Sequence, residues 1–294
     1  MPDVQIFERV PVTRTLRVLA DEWRASRVDV AEATATTYEV NLGRILPRLG
    51  DRAVADVRVE DVTGLVSDLT AAGLARESIR KTLTTLAHVL DFAGITPNPV
   101  RDRGVKLPRL DRTEIAPPTA AHVLAVLPTL APRYRLPILV LDATGMRVGE
   151  LERLAWGDVD EQEGRWRVSA AVAKTGRARW VDVPERLFGA VSELCPRDDR
   201  AADRRVFEGV TTDRLRTAIT RACTAAGVPA FSPHDLRHRR ATLWHLGGVP
   251  AAQASSWLGH SAQEHLRTYA HAVLDRTELD YRAWSPTLLG ETSV

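Results

Sequence analysis

Cysteine, lysine and long apolar runs are all scarce in this chain. Its 294 residues include two cysteines, Cys195 and Cys223, too few for a four-thiolate zinc site or a disulfide framework. The longest strongly apolar stretch is LPILVL at 136–141, far short of the roughly 20 residues that span a bilayer. The opening MPDVQIFERV holds no apolar secretory core. Disulfide-stapled and membrane-spanning classes are thereby excluded, and a cytoplasmic protein is expected. An excess of one charge is missing too. Forty Lys+Arg face 38 Asp+Glu for a net charge of +2, so bulk charge points to no partner. Only three of the forty cations are lysines (Lys81, Lys106 and Lys174), and the rest are arginine. Arginine presents a planar, bidentate fork suited to phosphate, whereas lysine is a point charge that gives up its proton more readily.

What is present has helical periodicity in the first hundred residues. Leu16, Leu19, Ala20 and Trp23 form one stripe, and Tyr38, Leu42, Ile45, Leu46 and Leu49 a second, closed by Gly50. Val62, Leu65, Val66 and Leu69 form a third before Gly73, and Ile79, Leu83, Leu86, Ala87 and Leu90 a fourth before Gly94. Each stripe covers one face, which predicts a small helical domain over 1–100. Residues 101–118 are interrupted by prolines at 108, 117 and 118 and carry Arg101, Arg103, Lys106 and Arg109. Proline resists helix, so the segment is expected to be an extended interdomain linker, either solvated or strapped against a polyanion. The remainder, 119–294, is mixed. Thr119 suits a helix cap, an apolar helix runs to Gly145, and RWRVS (165–169) and RWVDV (179–183) flank a KTGR turn as a β-hairpin. Helices return after Asp213. The expected fold is mainly α with a small β-sheet.

Four stretches of the second half carry side chains able to act on a phosphodiester. In SPHDLRH (232–238), Ser232 suits an N-cap, Pro233 the first helical position and Asp235 the capping-box acid. His234 and Arg237 are then neighbours near a helix start, where free amides favour an anion. In ATGMRVGEL (143–151), Arg147 opens a helix with Glu150 three residues on, a spacing that can orient the guanidinium and that equally fits a plain surface ion pair. Lys174 sits at the hairpin tip. In WLGHSAQEHLRTYAHAV (257–273), Ser261 and Glu264 form a capping box and His260 lies at the junction. The helix they start is expected to bury Leu266, Ala270, Val273 and Leu274, leaving Tyr269 at the edge of that face. Two Arg, one Lys, two His and a Tyr are together an inventory for attacking a phosphodiester without metal, and no Walker-type loop or His/Cys cluster competes with them.

With these residues in view the sequence resembles the tyrosine recombinase (phage integrase) family. The carriers are ATGMRVGEL, the KTG hairpin, PHDLRH, LGH and TYAH, in family order, within a resemblance spanning about residues 12–275. It implies a helical core-binding domain and a mixed α/β catalytic domain that together clamp duplex DNA, in the simple two-domain, Xer-like arrangement. It further implies that Tyr269 attacks the scissile phosphate to give a 3′-phosphotyrosyl bond and a free 5′-hydroxyl. Arg147 and Arg237 would hold the non-bridging oxygens and stabilise transition-state charge. Lys174 would protonate the leaving 5′ oxygen. His234 would assist proton removal from a phenol whose ordinary pKa is about 10. His260 would hydrogen-bond the phosphate and Glu150 would support Arg147.

No cofactor, metal or ATP is expected, because the phosphotyrosine retains the bond energy. Backbone DNA contacts are expected from Arg101, Arg103, Lys106 and Arg109. Arg239 and Arg240 stand where the family often has Thr and an aromatic, and they are expected to contact DNA or lie on the surface. The expected partners are double-stranded DNA bearing a specific site and further copies of the chain, a tetramer on two sites passing through a Holliday junction. The apolar tail residues Val273, Leu274, Leu279, Tyr281, Trp284, Leu288 and Leu289 would dock on a neighbouring copy or fold back on their own domain. A type IB-like topoisomerase and a catalytically silent DNA clamp are the competing readings.

Overall fold

The computed structural model describes residues 14–109, 117–170 and 178–269. The chain divides into two compact units, 1–112 and 113–294, a division that falls inside the segment 101–118.

In the first unit the four stripes become α1 (Leu16–Ala25), α2 (Glu32–Leu49), α3 (Val59–Ala71) and α4 (Arg76–Phe92). Thr15 has extended backbone and its side chain accepts from the Val18 amide, stopping α1 from fraying. The stripes converge on one core in which Leu16, Ile45, Val62, Ile79, Leu86 and Leu90 are fully buried, each contributing about 1.5–3 kcal/mol by leaving water. The core also holds a polar residue that periodicity did not announce. Asn41 is buried, and its amide is satisfied by donating to Thr85 Oγ1 (2.9 Å) and accepting from Thr82 Oγ1 (3.2 Å), which offsets the desolvation penalty.

The stretch after α4 starts as an extension of this unit. Val100, Val105 and Leu107 pack against the helical core, and Arg76 donates to the Pro108 carbonyl. Inward Val105 and Leu107 leave the intervening Lys106 outward, so Arg101, Arg103, Lys106 and Arg109 all stay exposed, with Arg101 paired to Asp91.

The second unit runs α5 (Ala120–Val126), α6 (Pro132–Thr144), α7 (Val148–Arg153), β1 (Val159–Asp160), β2 (Arg165–Val168), β3 (Arg179–Asp182), α8 (Glu185–Ser192), α9 (Thr212–Ala226), α10 (Pro233–Leu246), α11 (Ala251–Leu258) and α12 (Ala262–Tyr269). The strands form one antiparallel sheet in the order β1-β2-β3. Trp166 pairs with Val181 and both face inward, while Arg167 pairs with Trp180 and both are exposed, the alternation that a two-residue side-chain period imposes. The protein is mainly helical with this small sheet, as the periodicities predict. Among the described residues no helix is long and apolar enough to cross a membrane.

Helix α6 is central. Every residue from Leu136 to Thr144 is buried, and a helix apolar on all sides belongs in the interior. It carries one acid, Asp142, at 0% exposure. Arg239 of α10 answers it with Nη1 2.9 Å from Asp142 Oδ2, also at 0% exposure, and Arg240 Nε donates to the Asp142 carbonyl at 2.7 Å. This corrects the expectation that Arg239 and Arg240 lie on the surface or contact DNA. A buried carboxylate needs a cation beside it, and these two arginines tie α10 to α6.

A second correction concerns α12. The helix buries His265 and Tyr269, at 0% and 4% exposure, and leaves Leu266 exposed. The inward face is therefore the 265/269 pair four residues apart, and Tyr269 is inside it rather than at its edge. Ala270, Val273, Leu274 and the remaining apolar tail residues lie outside the described residues.

Candidate active site

Three helix ends build the site. The first is the end of α6, where Gly145 takes a left-handed conformation (φ 63°). A Cβ there would meet Leu258 Cδ2 at 2.8 Å, so glycine serves both the turn and the close packing. The chain then turns directly into α7, with Arg147 at the N-cap. The Arg147 amide donates to Glu150 Oε2 at 2.8 Å and its Nη1 donates to Oε1 at 3.0 Å, so one carboxylate fixes both the backbone and the guanidinium.

The second is the start of α10. Ser232, extended at φ −115°, and Asp235 close the capping box anticipated from the sequence, with the Ser232 amide donating to Asp235 at 2.7 Å. This sets the register that places His234, Arg237 and His238 on one side of the first turns.

The third is the C-terminus of α11, and here the arginines are organised. The last carbonyls of a helix lack intrahelical partners, and three carbonyls here each receive a guanidinium. Arg179 Nε donates to Trp257 O at 2.7 Å, Arg237 Nη2 to Leu258 O at 2.6 Å and Arg147 Nη2 to Gly259 O at 3.0 Å. Gly259, left-handed at φ 68°, lets the chain turn away so that the carbonyls stay accessible. The partial negative charge of a helix C-terminus favours cations, and Glu150 adds a full one. Arg179 clasps that carboxylate from the other side, Nη1 at 3.0 Å and Nη2 at 2.6 Å. Burial pushes the Glu150 carboxyl up, but the hydrogen bonds and charges of Arg179 and Arg147 outweigh it and hold it below the ordinary carboxylate range.

Arg237 also donates through Nη1 to the Gly145 carbonyl at 2.7 Å. Two of its five N–H donors are thus spent on backbone, leaving three for a ligand. Burial, then the charge of Arg147, weakens its hold on the proton, and Glu150 opposes them.

On the adjoining face, Tyr269 Oη lies 2.8 Å from His238 Nδ1. His234 packs edge-on against the His238 ring, with centroids 4.4 Å apart. His265 stacks between Tyr269 (4.9 Å) and His260 (5.5 Å). Burial pushes the phenol up to about 12, with Arg237 pulling the other way, and burial followed by the charge of His234 pulls His238 down to about 4. At neutral pH the phenol is therefore protonated and the imidazole neutral. His260 Nδ1 sits 3.1 Å from the Ser261 carbonyl, and its buried Nε2 has no hydrogen-bond partner among the described residues. An open cavity of about 640 Å³ borders it, lined by Ala178, Arg179, Ser255 and Gly259 among others.

The structure therefore gathers Arg147, Glu150, Arg237, His234, His260 and Tyr269, drawn from α7, α10, α12 and the α11–α12 junction. Lys174 lies outside the described residues. Arg101, Arg103, Lys106 and Arg109 belong to the first unit. Arg179 and His238 join the site without any sequence motif having singled them out. His238 was in plain view inside SPHDLRH, but nothing local shows that a phenol 31 residues away reaches it. For Arg179 the only available signal was its position at the start of a strand that follows a basic turn. Among the described residues no group of three or more His, Cys, Asp or Glu is placed to hold a metal ion.

The chain is similar to several known proteins. The sequence is 32% identical over 154 residues to tyrosine recombinase XerC of Corynebacterium efficiens, a match covering 50% of this chain and 49% of that protein. The chain thus spans about half the length of the curated relative it matches. The fold is similar to that of the Tn1549 transposon integrase in complex with transposon right end DNA, with TM-score 0.76 and 20% identity over 88% of this chain and 96% of that one. It is also similar to a lambda integrase tetramer bound to a Holliday junction, with TM-score 0.70 and 20% identity over 92% and 81%. Residues 119–275, more than half of the sequence and the whole of the site just described, match the model of the phage integrase family, and the chain belongs to that family.

Proposed function

We propose that this protein is a site-specific DNA recombinase that breaks and rejoins strands through a 3′-phosphotyrosyl intermediate. One observation carries the reading. Arg147, fixed by Glu150 and by the end of α11, and Arg237, fixed by that same helix end and by the Gly145 carbonyl, stand beside a phenol whose charge couples to Arg237. Arg147 and Arg237 bind the non-bridging oxygens of the scissile phosphate and stabilise the charge that builds in the transition state. Their groups are already held in place, so little reorganisation accompanies reaction. His260, whose Nδ1–H donates to the Ser261 carbonyl, hydrogen-bonds the same phosphate through Nε2 once the bound anion draws a second proton onto its ring. Tyr269 Oη attacks phosphorus as the bond to the 5′ oxygen breaks, and Lys174, in the segment joining β2 to β3, supplies the proton for that oxygen. Attack by a different 5′-hydroxyl reverses the chemistry and joins a new partner, with no outside energy source.

The DNA partner is a duplex with a specific site. Arg101, Arg103, Lys106 and Arg109 contribute phosphate contacts from the first unit. The acting form is a tetramer on two sites passing through a Holliday junction, a reading supported by the lambda integrase likeness. A topoisomerase reading shares the chemistry but is not favoured by the relatives found.

The test is to incubate the protein with fragmented host DNA, stop with SDS, and sequence what remains covalently attached. Adducts concentrated at a few sites are expected from wild type. Tyr269→Phe is expected to abolish them while retaining DNA binding. Adducts persisting in Tyr269→Phe, or spread evenly over the genome, would overturn the proposal.

A further inference from the structure

The family resemblance assigns His234 to the nucleophile's proton, yet the nitrogen that touches the phenol belongs to the next turn of the same helix. Oη of Tyr269 is 2.8 Å from His238 Nδ1, within the reach required of a general base. His234 meets the His238 ring edge-on instead. The two histidines are four residues apart on α10, so His234 lies behind His238, edge-on to its ring, and His238 faces α12. We propose that His238 Nδ1 accepts the Tyr269 proton during strand cleavage and returns it on religation. This rests on the recombinase reading above.

The balance closes with the groups that the recombinase reading names. The bond from Oη to phosphorus forms and the bond from phosphorus to the 5′ oxygen breaks. The phenolic proton passes to His238 Nδ1, and the leaving oxygen takes a proton from Lys174. Religation reverses each transfer. For Nδ1 to accept, His238 must carry its own proton on Nε2, the neutral tautomer in which Nδ1 keeps a lone pair.

The surroundings explain why the pair rests until DNA arrives. His234, Asp235 and Arg237 face His238 from α10, His260 from the junction before α12, and Tyr269 from α12 itself. Burial is the largest influence and keeps the imidazole neutral. His234, Arg237 and His260 reinforce it, and Asp235 opposes. With the phenol pushed up to about 12, transfer in the free protein is strongly uphill, which protects the nucleophile from idle chemistry. A phosphodiester bound between Arg147 and Arg237 brings a negative charge that cancels part of this positive field. That raises the proton affinity of His238 when a base is needed, while Arg237 favours the phenolate. The same low dielectric that silences the pair strengthens both effects.

The decisive variant is His238→Asn, which keeps an acceptor near the Nδ1 position but cannot take up a proton. The probe is a nicked duplex built on a sequence recovered by the SDS trapping described above, read as covalent adduct in a single turnover. At pH 7 the variant is expected to bind the duplex normally and to cleave at least about 100-fold more slowly, the lower end for loss of a general base. Its rate should climb with pH while wild type stays flat above neutrality. Replacing tyrosine by the more acidic 3-fluorotyrosine should recover at least tenfold in the variant and much less in wild type. Cleavage within threefold of wild type would overturn the proposal, as would finding the pH signature in His234→Asn instead.

A second measurement needs neither DNA nor a His238 variant, and it separates this inference from the recombinase reading. In wild-type protein labelled with [15N]histidine, His238 Nδ1 is expected to show an unprotonated shift that moves in Tyr269→Phe. A protonated Nδ1, or no response to Tyr269→Phe, would refute the assignment even if recombination were established.

Discussion

Replacing Glu150 by Gln removes one negative charge from the point where two guanidiniums meet, and the structure sets the size of the effect. The Glu150 side chain is 2% exposed and accepts four N–H groups, two from Arg147 and two from Arg179. Glutamine keeps one oxygen and turns an NH₂ toward donors that met the other, the Arg147 amide and Arg179 Nη2. Two charge-assisted hydrogen bonds are lost, each worth about 1.5–3 kcal/mol, and Arg147, Arg179 and Arg237 then share a site with no counter-charge of their own. Breaking a buried pair from one side costs about 3–5 kcal/mol, so a loss of about 4 kcal/mol is expected. For a unit of this size each kcal/mol shifts Tm by about 2–4 °C, which places the drop near 10 °C at pH 7.5. Loosening of Arg147 should also slow adduct formation at least about 100-fold, because small misplacements of a transition-state clamp are that costly. Thermal unfolding and single-turnover adduct formation on a trapped site would measure both. A variant with Tm within 2 °C of wild type and undiminished adduct would refute the claim that Glu150 organises the arginines.

Asp142→Asn should destabilise by about 3–5 kcal/mol in urea titration, since it strands Arg239 at 0% exposure. The double replacement Asp142→Leu with Arg239→Met should recover most of that loss, and additive losses would contradict the pairing. Acid should also weaken the fold. His238 and His265 are each pulled down to about 4, first by burial, whereas in an unfolded chain they titrate near 6.5. Between those values the unfolded chain binds more protons, so stability is complete above about pH 6.5 and falls as the pH drops toward 4. His265→Leu should flatten the slope of Tm against pH in that window, and an unchanged slope would count against the burial argument.

The helices of the first unit were legible because each rests on a local rule. Stripes such as Leu16, Leu19 and Trp23 repeat at the helical period, and a one-sided stripe can only be buried against another. The Ser232–Asp235 box and the hairpin strands were legible for the same reason. The rest failed where the outcome depended on a distant partner. Arg239 and Arg240 read as surface cations because exposed arginine is the rule. Only Asp142, an acid inside the apolar run of α6, hinted that a buried cation was required. Leu266 suggested the wrong inward face for α12, because His245 and His260 packed against His265, and Trp244 beside the cluster that holds Tyr269, make a polar-edged interior that accepts His265 and Tyr269 in its place.

The sequence by itself settled the four helices of the first unit, the strands β2 and β3, the helix caps at Thr119 and Ser232, and which residue types were on hand for phosphate chemistry. All of these follow from side-chain period and backbone hydrogen bonds a few residues apart. Tertiary structure alone decided that three arginines would share the end of α11, that two others would vanish beneath α6, and that the phenol would meet His238 rather than His234. Those outcomes join residues up to 112 positions apart. They are set by which carbonyls and carboxylates packing leaves without a partner, a condition that no local pattern encodes.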